Sequence, residues 1–208
     1  MFDLDGVLVD STPAVARVWG NWAVARGLDP DRVIAQAHGR RSIETIRAVA
    51  PQLDAVKENV RVEQMEIDDK EGVIALPGAD ALLRALPQDR FAIVTSATRP
   101  LALARLSYAG LPAPKNLVSA DDVINGKPSA EPYLKGAELL GFAAGDCLVF
   151  EDTPAGIQSA QAAGMRAVAL TTTYPSSQIS AAEATVASLA AVQVESCGPR
   201  VRLKLTPL

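Results

Sequence analysis

The spacing of apolar residues divides the chain into a helical segment and a later alternation of strands and helices. From residue 12 to about residue 70, apolar side chains recur every three or four positions, as in helices buried on one side. Thr12 before Pro13, and Ser42 after a polar turn, have the chemistry of N-caps. No convincing strand interrupts these residues, so we expect a helical insert. The predicted helices cover residues 13–26, 31–37, 43–49 and 54–68.

After Pro77 and Gly78 the pattern changes to short apolar runs separated by helices. The predicted strands are residues 91–94, 117–118, 147–150 and 166–170, and the predicted helices are residues 79–86, 101–108, 132–140 and 153–163. This alternation predicts an α/β fold with a parallel sheet and right-handed crossovers. Residues 185–189 are a weaker strand candidate, and residues 201–205 alternate as an exposed edge strand does.

The first ten residues, MFDLDGVLVD, place two carboxylates just after an apolar start. Asp3 and Asp5 lie two positions apart, so in extended backbone their side chains point the same way, and Gly6 then allows a sharp turn. Two like charges this close repel each other by about 4 kcal/mol at an effective dielectric of 20. Such a pair indicates a metal site or proton and nucleophile chemistry, and a surface turn is the simpler alternative.

Polar groups also follow the later strands, and a lysine lies in a loop between two of them. Taken singly, each is typical of a helix cap, a helix start or a solvated loop. Ligands bind beyond the carboxyl ends of the strands in an open parallel sheet, so together these groups predict one shared crevice. The strand-end groups are Thr95 with Ser96, Asp121 with Asp122, and Glu151 with Asp152, and the loop lysine is Lys127.

The charges expected in this crevice favour a divalent cation and a phosphate. Four carboxylates and one ammonium group leave a charge of about −3, which a divalent cation reduces to about −1. Carboxylate oxygens and water are the ligands that Mg²⁺ prefers, whereas hydroxyls, backbone N–H groups and lysine suit a phosphate. The prediction is a metal and phosphate site with a carboxylate available as nucleophile. The charged residues counted are Asp3, Asp5, Glu151, Asp152 and Lys127.

Composition narrows the class of protein. The 208 residues suit one domain, or one domain with an insert, and the core must be aliphatic because 49% of the residues are hydrophobic but only 4% aromatic. The net charge of −4 argues against a nucleic-acid partner. Cys147 and Cys197 are too few for a zinc site or a disulfide framework, which favours a reducing compartment. Without a membrane-length apolar run or a signal-like start, we expect a cytoplasmic protein with no membrane partner.

Four short motifs together resemble the haloacid dehalogenase superfamily of aspartate-nucleophile phosphotransferases. They are FDLDGV at residues 2–7, VTS at 94–96, GKP at 126–128 and FEDT at 150–153. The resemblance extends from residue 2 to about residue 170. It implies a Rossmann-like parallel sheet core with an inserted helical cap subdomain. The core would comprise residues 1–11 and 76–208, and the cap residues 12–75.

The resemblance also implies catalytic roles. Asp3 would attack phosphorus and form an aspartyl-phosphate. Asp5 would protonate the leaving oxygen and then activate water. Lys127 and one hydroxyl, that of Thr95 or of Ser96, would hold the phosphoryl oxygens.

The same resemblance implies the ligands of a Mg²⁺ ion. Asp3, Asp152 and the backbone carbonyl of Asp5 would coordinate the ion, with Glu151 close to that shell.

Two positions bear on the type of reaction. True dehalogenases of the superfamily lack the second acid of the first motif, so the presence of Asp5 argues against dehalogenation. Members similar to β-phosphoglucomutase carry a histidine where this chain has Val15, which favours hydrolysis over mutase chemistry.

Parts of the predicted cap resemble small-sugar and polyol phosphatases of the superfamily. The loop that carries His38, Arg40 and Arg41 is expected to face the active site and bind the leaving group. The alternative is that these three are ordinary polar loop residues. Trp19 and Trp22 are expected in the core of the cap rather than against a sugar.

The sequence therefore predicts a Mg²⁺-dependent phosphatase, expected to be monomeric, whose partner is a small phosphorylated metabolite such as a sugar or polyol phosphate. Two alternatives stay open: a β-phosphoglucomutase-like phosphotransferase, and a non-catalytic binding protein on the same scaffold. One feature departs from the superfamily. Only Met1 and Phe2 precede Asp3, so we expect an unusually short first strand unless the chain begins late.

Overall fold

The computed structural model describes residues 1–198 and 200–206, in which helices alternate with short strands. None of the helices in this part of the chain is long and apolar enough to cross a membrane. The helices are α1 (Thr12–Val24), α2 (Pro30–Ala37), α3 (Ser42–Val49), α4 (Ala55–Asp68), α5 (Ala79–Ala85), α6 (Arg99–Tyr108), α7 (Glu131–Leu140) and α8 (Pro154–Ala162). The strands are β1 (Val9–Asp10), β2 (Ile74–Ala75), β3 (Ile93–Val94), β4 (Leu117–Val118), β5 (Leu148–Glu151), β6 (Arg166–Leu170), β7 (Ala184–Val186), β8 (Val192–Cys197) and β9 (Val201–Leu205).

The first residues of the chain occupy the centre of a parallel sheet. Strand β3 pairs with β4, and β5 pairs with β6, which pairs with β7, all in parallel. Phe2 joins the two groups because it forms parallel bridges with Ile93 of β3 and Phe150 of β5. The N–H of Asp3 donates to the carbonyl of Phe150. The predicted parallel sheet is therefore confirmed.

Alternate strand residues face opposite sides of this sheet, and helices cover both sides. Ile93 and Phe150 belong to one buried apolar cluster, whereas their neighbours Val94 and Val149 belong to another. This alternation follows from the two-residue period of extended backbone. Side chains of α5 and α6 line the first cluster, and those of α7 and α8 line the second. The core is thus a three-layer α/β arrangement.

Helices α1 to α4 form a cap with an apolar cluster of its own. Trp19 and Trp22 are both buried in it, as expected, with their ring centroids 5.6 Å apart. The indole N–H of Trp22 donates to Glu58 Oε2 at 2.8 Å, so its polar atom is satisfied inside the cap. The chain enters this segment through β1 and leaves through β2, and these two strands pair antiparallel. The proposed boundaries at residues 11–12 and 75–76 stay a prediction.

Five helices, namely α1, α2, α3, α6 and α7, begin one or two residues earlier than predicted. Thr12 is the first residue of α1 rather than its N-cap, because the carbonyl of Ser11 already accepts a helical N–H. Ser42 likewise is the first residue of α3, because the carbonyl of Arg41 accepts the first helical N–H groups. Helix α6 begins at Arg99 instead of residue 101. In α1 and α3 backbone hydrogen bonding, and not the predicted side-chain cap, determines where the helix starts.

The prediction also missed three strands, namely β1, β2 and β8. The first two are only two residues long, too short for a periodic pattern. Strand β8 pairs antiparallel with β9, which is the predicted edge strand. Its last residues are exposed without alternation, so the sequence carries no clear strand signal there. The candidate strand at 185–189 is a strand over Ala184–Val186 only, and a 3₁₀ turn at Leu189–Ala191 follows it.

The cap core provides a matched test of packing within helix α4. Val62 is fully buried, whereas Val60 is 66% exposed on the same helix. We expect Val62→Ala to lower the free energy of unfolding by about 2 kcal/mol, because it removes buried methyl groups and leaves a cavity. Val60→Ala should change it by less than about 0.5 kcal/mol. Chemical denaturation measures both values, and equal losses would show that Val62 is not packed as described.

Candidate active site

Three buried carboxylates meet at the carboxyl ends of two neighbouring strands. Asp3 ends the central strand, Glu151 ends β5, and Asp152 follows it. One carboxylate oxygen from each of the three residues lies within 4.8 Å of the other two. The three carboxylates are therefore close enough together to be candidate ligands of one ion.

Lys127 binds two of these acids from a neighbouring loop. Its Nζ donates to Asp3 Oδ1 at 2.5 Å, to Glu151 Oε1 at 2.6 Å and to the carbonyl of Val94 at 3.2 Å. Burial lowers the pKa of the ammonium group, but the charges of Asp3 and Glu151 outweigh burial and raise that pKa above its usual value. Lys127 is therefore a fixed positive charge inside the crevice and not a solvated loop lysine.

Glu151 is the most fully hydrogen-bonded acid of the three. Its Oε1 accepts from Tyr133 at 2.9 Å as well as from Lys127, and its Oε2 accepts from the N–H groups of Asp152 and Thr153 at 3.0 Å. Burial opposes ionisation of Glu151, but Lys127 and these hydrogen bonds lower its pKa overall. Glu151 therefore holds Lys127 and the start of α8 in place.

Ionisation of Asp152 and Asp3 is disfavoured inside this site. Asp152 Oδ1 is buried and has no hydrogen-bond partner. Burial, followed by the charges of Glu151 and Asp3, raises the pKa of Asp152 well above its usual value. Burial also raises the pKa of Asp3 to about 7, against the opposing effect of Lys127. A cation would give Asp152 Oδ1 the partner that it lacks, so the residues present fit a metal ion.

Asp5 lies apart from the three-acid cluster, and both of its carboxylate oxygens are engaged. Ser11 Oγ donates to Oδ1, and Arg105 Nη1 donates to Oδ2, each at 2.7 Å. The linker that leads to the cap and helix α6 thus orient this side chain together. The role of the Asp5 backbone carbonyl as a metal ligand stays a prediction.

One cavity between core and cap joins most of the predicted residues. Asp3, Asp5 and Lys127 line it together with side chains from the cap. Burial lowers the pKa of His38, which favours its neutral form. The further lining includes Thr95, Ser96 and Arg105 from the core, and Trp19, His38, Arg40, Ser42 and Glu66 from the cap.

The two candidate hydroxyls for a phosphate have different partners. Thr95 Oγ1 accepts the N–H of Ala97 at 3.1 Å, whereas Ser96 Oγ donates to the carbonyl of Gly39 in the cap loop at 3.4 Å. Both residues line the cavity, so the choice between them stays open.

Arg41 lies in a different position from the other two predicted residues of the cap loop. Its Nη1 donates to the carbonyl of Ile124 at 2.8 Å, and its side chain lines a neighbouring groove instead of the cavity. Arg40 and His38 line the cavity itself. Arg41 therefore binds the cap to a core loop in this structure.

Asp121 and Asp122 do not join the crevice, in contrast to the sequence-based expectation. Asp121 Oδ2 accepts the N–H of Arg99, the first residue of α6, at 2.8 Å. Asp122 Oδ2 accepts from the N–H and hydroxyl of Ser119, which closes a capping box. Both acids follow β4 but cap helices, the simpler of the two interpretations.

Sequence reasoning missed four side chains that contact the site: Ser11, Glu66, Arg105 and Tyr133. Two of them carried a detectable signal. Arg105 lies on the buried stripe of α6, and Glu66 lies one turn after the buried Val62 in α4. A charged residue on an apolar stripe is buried only with a partner, which marks it for attention.

Gly6 allows the backbone to approach Asp152. Its φ is +80°, and a Cβ built there would collide with the carboxylate of Asp152. We expect Gly6→Ala to lower the free energy of unfolding by at least about 1 kcal/mol more than Gly27→Ala does. Gly27 is a matched control, since its φ is +65° and nothing lies within 4 Å of its Cβ position, which leaves only backbone strain of about 1–2 kcal/mol. Equal losses in chemical denaturation would contradict the close approach.

Because Glu66 is buried, we expect the free energy of unfolding to depend on pH. Burial raises the pKa of Glu66 from 4.5 to about 6, against the opposing effect of Arg105. Because the folded state binds this proton more tightly than the unfolded chain, stability falls as the pH rises through this window. Between a pH below about 4.5 and a pH above about 6, we expect the wild type to lose about 2 kcal/mol of unfolding free energy relative to E66Q. Parallel pH profiles for the two proteins would show that the carboxyl group is not buried.

Comparison with known proteins identifies relatives over most of the chain. Residues 1–164 match the family model described as haloacid dehalogenase-like hydrolase. Hexitol phosphatase A of Escherichia coli (strain K12) is 48% identical over 175 residues, which covers 82% of this chain and 81% of the relative. Glycerol-1-phosphate phosphohydrolase 2 of Saccharomyces cerevisiae (strain ATCC 204508 / S288c) is 37% identical over 187 residues, which covers 84% and 74% respectively.

A solved structure agrees with these relatives. The crystal structure of a hydrolase from Pseudomonas syringae matches with a TM-score of 0.81 and 25% identity, covering 91% of this chain and 93% of that one. The core is Rossmann-like, and the inserted helices form its cap, as the resemblance implied. The chain therefore belongs to the haloacid dehalogenase-like hydrolase family, and its relatives place it among the phosphatases of that family.

Proposed function

We propose that this protein is a Mg²⁺-dependent phosphomonoester hydrolase that acts on small sugar or polyol phosphates through an aspartyl-phosphate at Asp3. The observation that carries the proposal is the buried carboxylate of Asp3, which lines the cavity and accepts a hydrogen bond from Lys127. It also lies beside Asp152, which has a buried oxygen without a partner. A nucleophile, a fixed cation and a free ligand atom are thereby available to one phosphoryl group.

Asp3 and Asp152, with the backbone carbonyl of Asp5, would hold Mg²⁺, and Glu151 would support them through its hydrogen bonds. When bound, the ion supplies positive charge that neutralises the buried acids and attracts phosphoryl oxygens.

The side chains of the site divide the chemistry between them. Lys127 and the hydroxyl of Thr95 or Ser96 bind the phosphoryl oxygens. An oxygen of Asp3 bonds to phosphorus while the bond to the leaving oxygen breaks, and Asp5 gives its proton to that oxygen. Asp5 then takes a proton from water as the water oxygen bonds to phosphorus and the oxygen of Asp3 leaves.

The cap determines which leaving group fits. His38 and Arg40 line the cavity from the cap, where they can donate hydrogen bonds to hydroxyl groups of a substrate. The relatives named hexitol phosphatase and glycerol-1-phosphate phosphohydrolase support a polyol or sugar leaving group. Because the cap lines the cavity from one side, it has to open to admit such a substrate. The monomeric state and the cytoplasmic location stay predictions.

Phosphate release from a substrate panel tests this function. The panel contains sorbitol 6-phosphate, mannitol 1-phosphate, glycerol 1-phosphate, 2-deoxyglucose 6-phosphate and glucose 1-phosphate, each with Mg²⁺ and with a chelator. We expect release that requires Mg²⁺, no turnover by Asp3→Asn, and a loss of about 10²–10⁴-fold in Asp5→Asn.

Other outcomes would identify the alternatives. Conversion of glucose 1-phosphate to the 6-phosphate without free phosphate would indicate a mutase. Inactivity on the whole panel would favour a non-catalytic binding protein, and full activity of Asp3→Asn would exclude the aspartyl-phosphate.

A further inference from the structure

Arg105 is a buried arginine that binds one carboxylate of the core and one of the cap. Its Nη1 donates to Asp5 Oδ2 at 2.7 Å, and its Nη2 donates to Glu66 Oε1 at 2.9 Å. The side chain of Arg105 is 8% exposed and that of Glu66 is 4% exposed. Arg105 lies on core helix α6, and Glu66 lies on cap helix α4.

This arrangement restricts the carboxylate of Asp5 from two directions. Ser11 holds Oδ1, and Arg105 holds Oδ2, so rotation of the side chain breaks at least one hydrogen bond. A guanidinium group is planar and has donors in a fixed fork, so an arginine held by Glu66 has little freedom to turn. The orientation of Asp5 is thereby linked to the packing of α4 against α6.

We propose that Arg105 is a positioning residue that aims Asp5 at the leaving oxygen, and that Glu66 anchors it from the cap. This inference rests on the proposed function, in which Asp5 gives a proton to that oxygen. Closing the cap brings Glu66 to Arg105 and so completes the acid for the first transfer. Neither Arg105 nor Glu66 touches the reacting atoms in this role.

The proposal predicts an effect that depends on the leaving group. A polyol leaves as an alcohol and needs the proton of Asp5, whereas 4-nitrophenolate leaves without one. The ratio kcat/KM covers binding and the steps up to departure of the leaving group, so it isolates the first transfer. If Asp5 loses its positioning, kcat/KM should fall much more for the polyol phosphate than for 4-nitrophenyl phosphate. General damage to the fold should lower kcat/KM equally for both substrates.

The experiment compares kcat/KM for sorbitol 6-phosphate and 4-nitrophenyl phosphate in wild type, R105M, R105K and E66Q. For R105M we expect a loss of about 10- to 100-fold with sorbitol 6-phosphate and of less than about 3-fold with 4-nitrophenyl phosphate. E66Q should lower kcat/KM for sorbitol 6-phosphate relative to that for 4-nitrophenyl phosphate by about 3- to 10-fold. R105K should also have a lower kcat/KM than wild type with sorbitol 6-phosphate, because a single ammonium group lacks the forked donors of a guanidinium group.

R17M is the matched control. Arg17 also forms a two-pronged ion pair, with Asp69 at 2.8 and 2.7 Å, but it lies outside the cavity lining. R17M should leave unchanged the ratio of the kcat/KM values for the two substrates. Circular dichroism monitors folding of every variant, and R105K and E66Q carry the test if R105M does not fold.

Equal losses on both substrates, or no loss in R105K and E66Q, would overturn the positioning role. The proposed function is tested separately by Asp3→Asn. An inactive Asp3→Asn with an unchanged substrate ratio in the Arg105 variants rejects only this inference. An active Asp3→Asn rejects the proposed function itself.

Discussion

The candidate site depends on burying more carboxylate than the protein's own positive charge compensates. Lys127 binds Glu151 and Asp3, whereas Asp152 keeps a buried oxygen without a partner. Transfer of an ionised carboxylate out of water costs several kcal/mol unless charges or hydrogen bonds replace the water. The fold therefore carries a local excess of negative charge, which appears as raised pKa values of Asp3 and Asp152. This excess is what makes the crevice suited to a cation and, through it, to a phosphoryl group.

The buried acids of the site are held in place by packing and hydrogen bonds around them. Phe2, next to Asp3, bridges β3 and β5 and stacks on Phe150 with ring centroids 5.1 Å apart. Glu151 holds Lys127 and, at the same time, accepts the N–H groups of Asp152 and Thr153 just before α8. The candidate nucleophile is thus fixed by a supporting layer of groups that do not themselves react, which is the arrangement that precise chemistry needs.

The parts of the site at strand ends were predictable because their signals are local. Asp3 and Asp152 each end a recognisable apolar run, and parallel topology brings such ends together. The contact of Arg105 with Glu66 was not predictable, since it joins residues 39 apart and depends on how two helices pack. The start of α1 at Thr12 and the strand β8 were missed for a related reason, because backbone hydrogen bonding decides them and side-chain pattern does not.

The contacts between cap and core differ in how water competes with them. Arg41 and Ser96 each bind a carbonyl across the boundary, and such hydrogen bonds contribute only about 1 kcal/mol net. The Arg105–Glu66 pair is buried, and removing one partner from such a pair costs about 3–5 kcal/mol. Opening the cap is different, because water then solvates both groups. An apolar pair of the same volume often stabilises a buried site more than an ion pair does, by about 1–4 kcal/mol, and would hold the cap closed more strongly. An ion pair at this boundary therefore orients the closed state and still permits the opening that substrate entry requires.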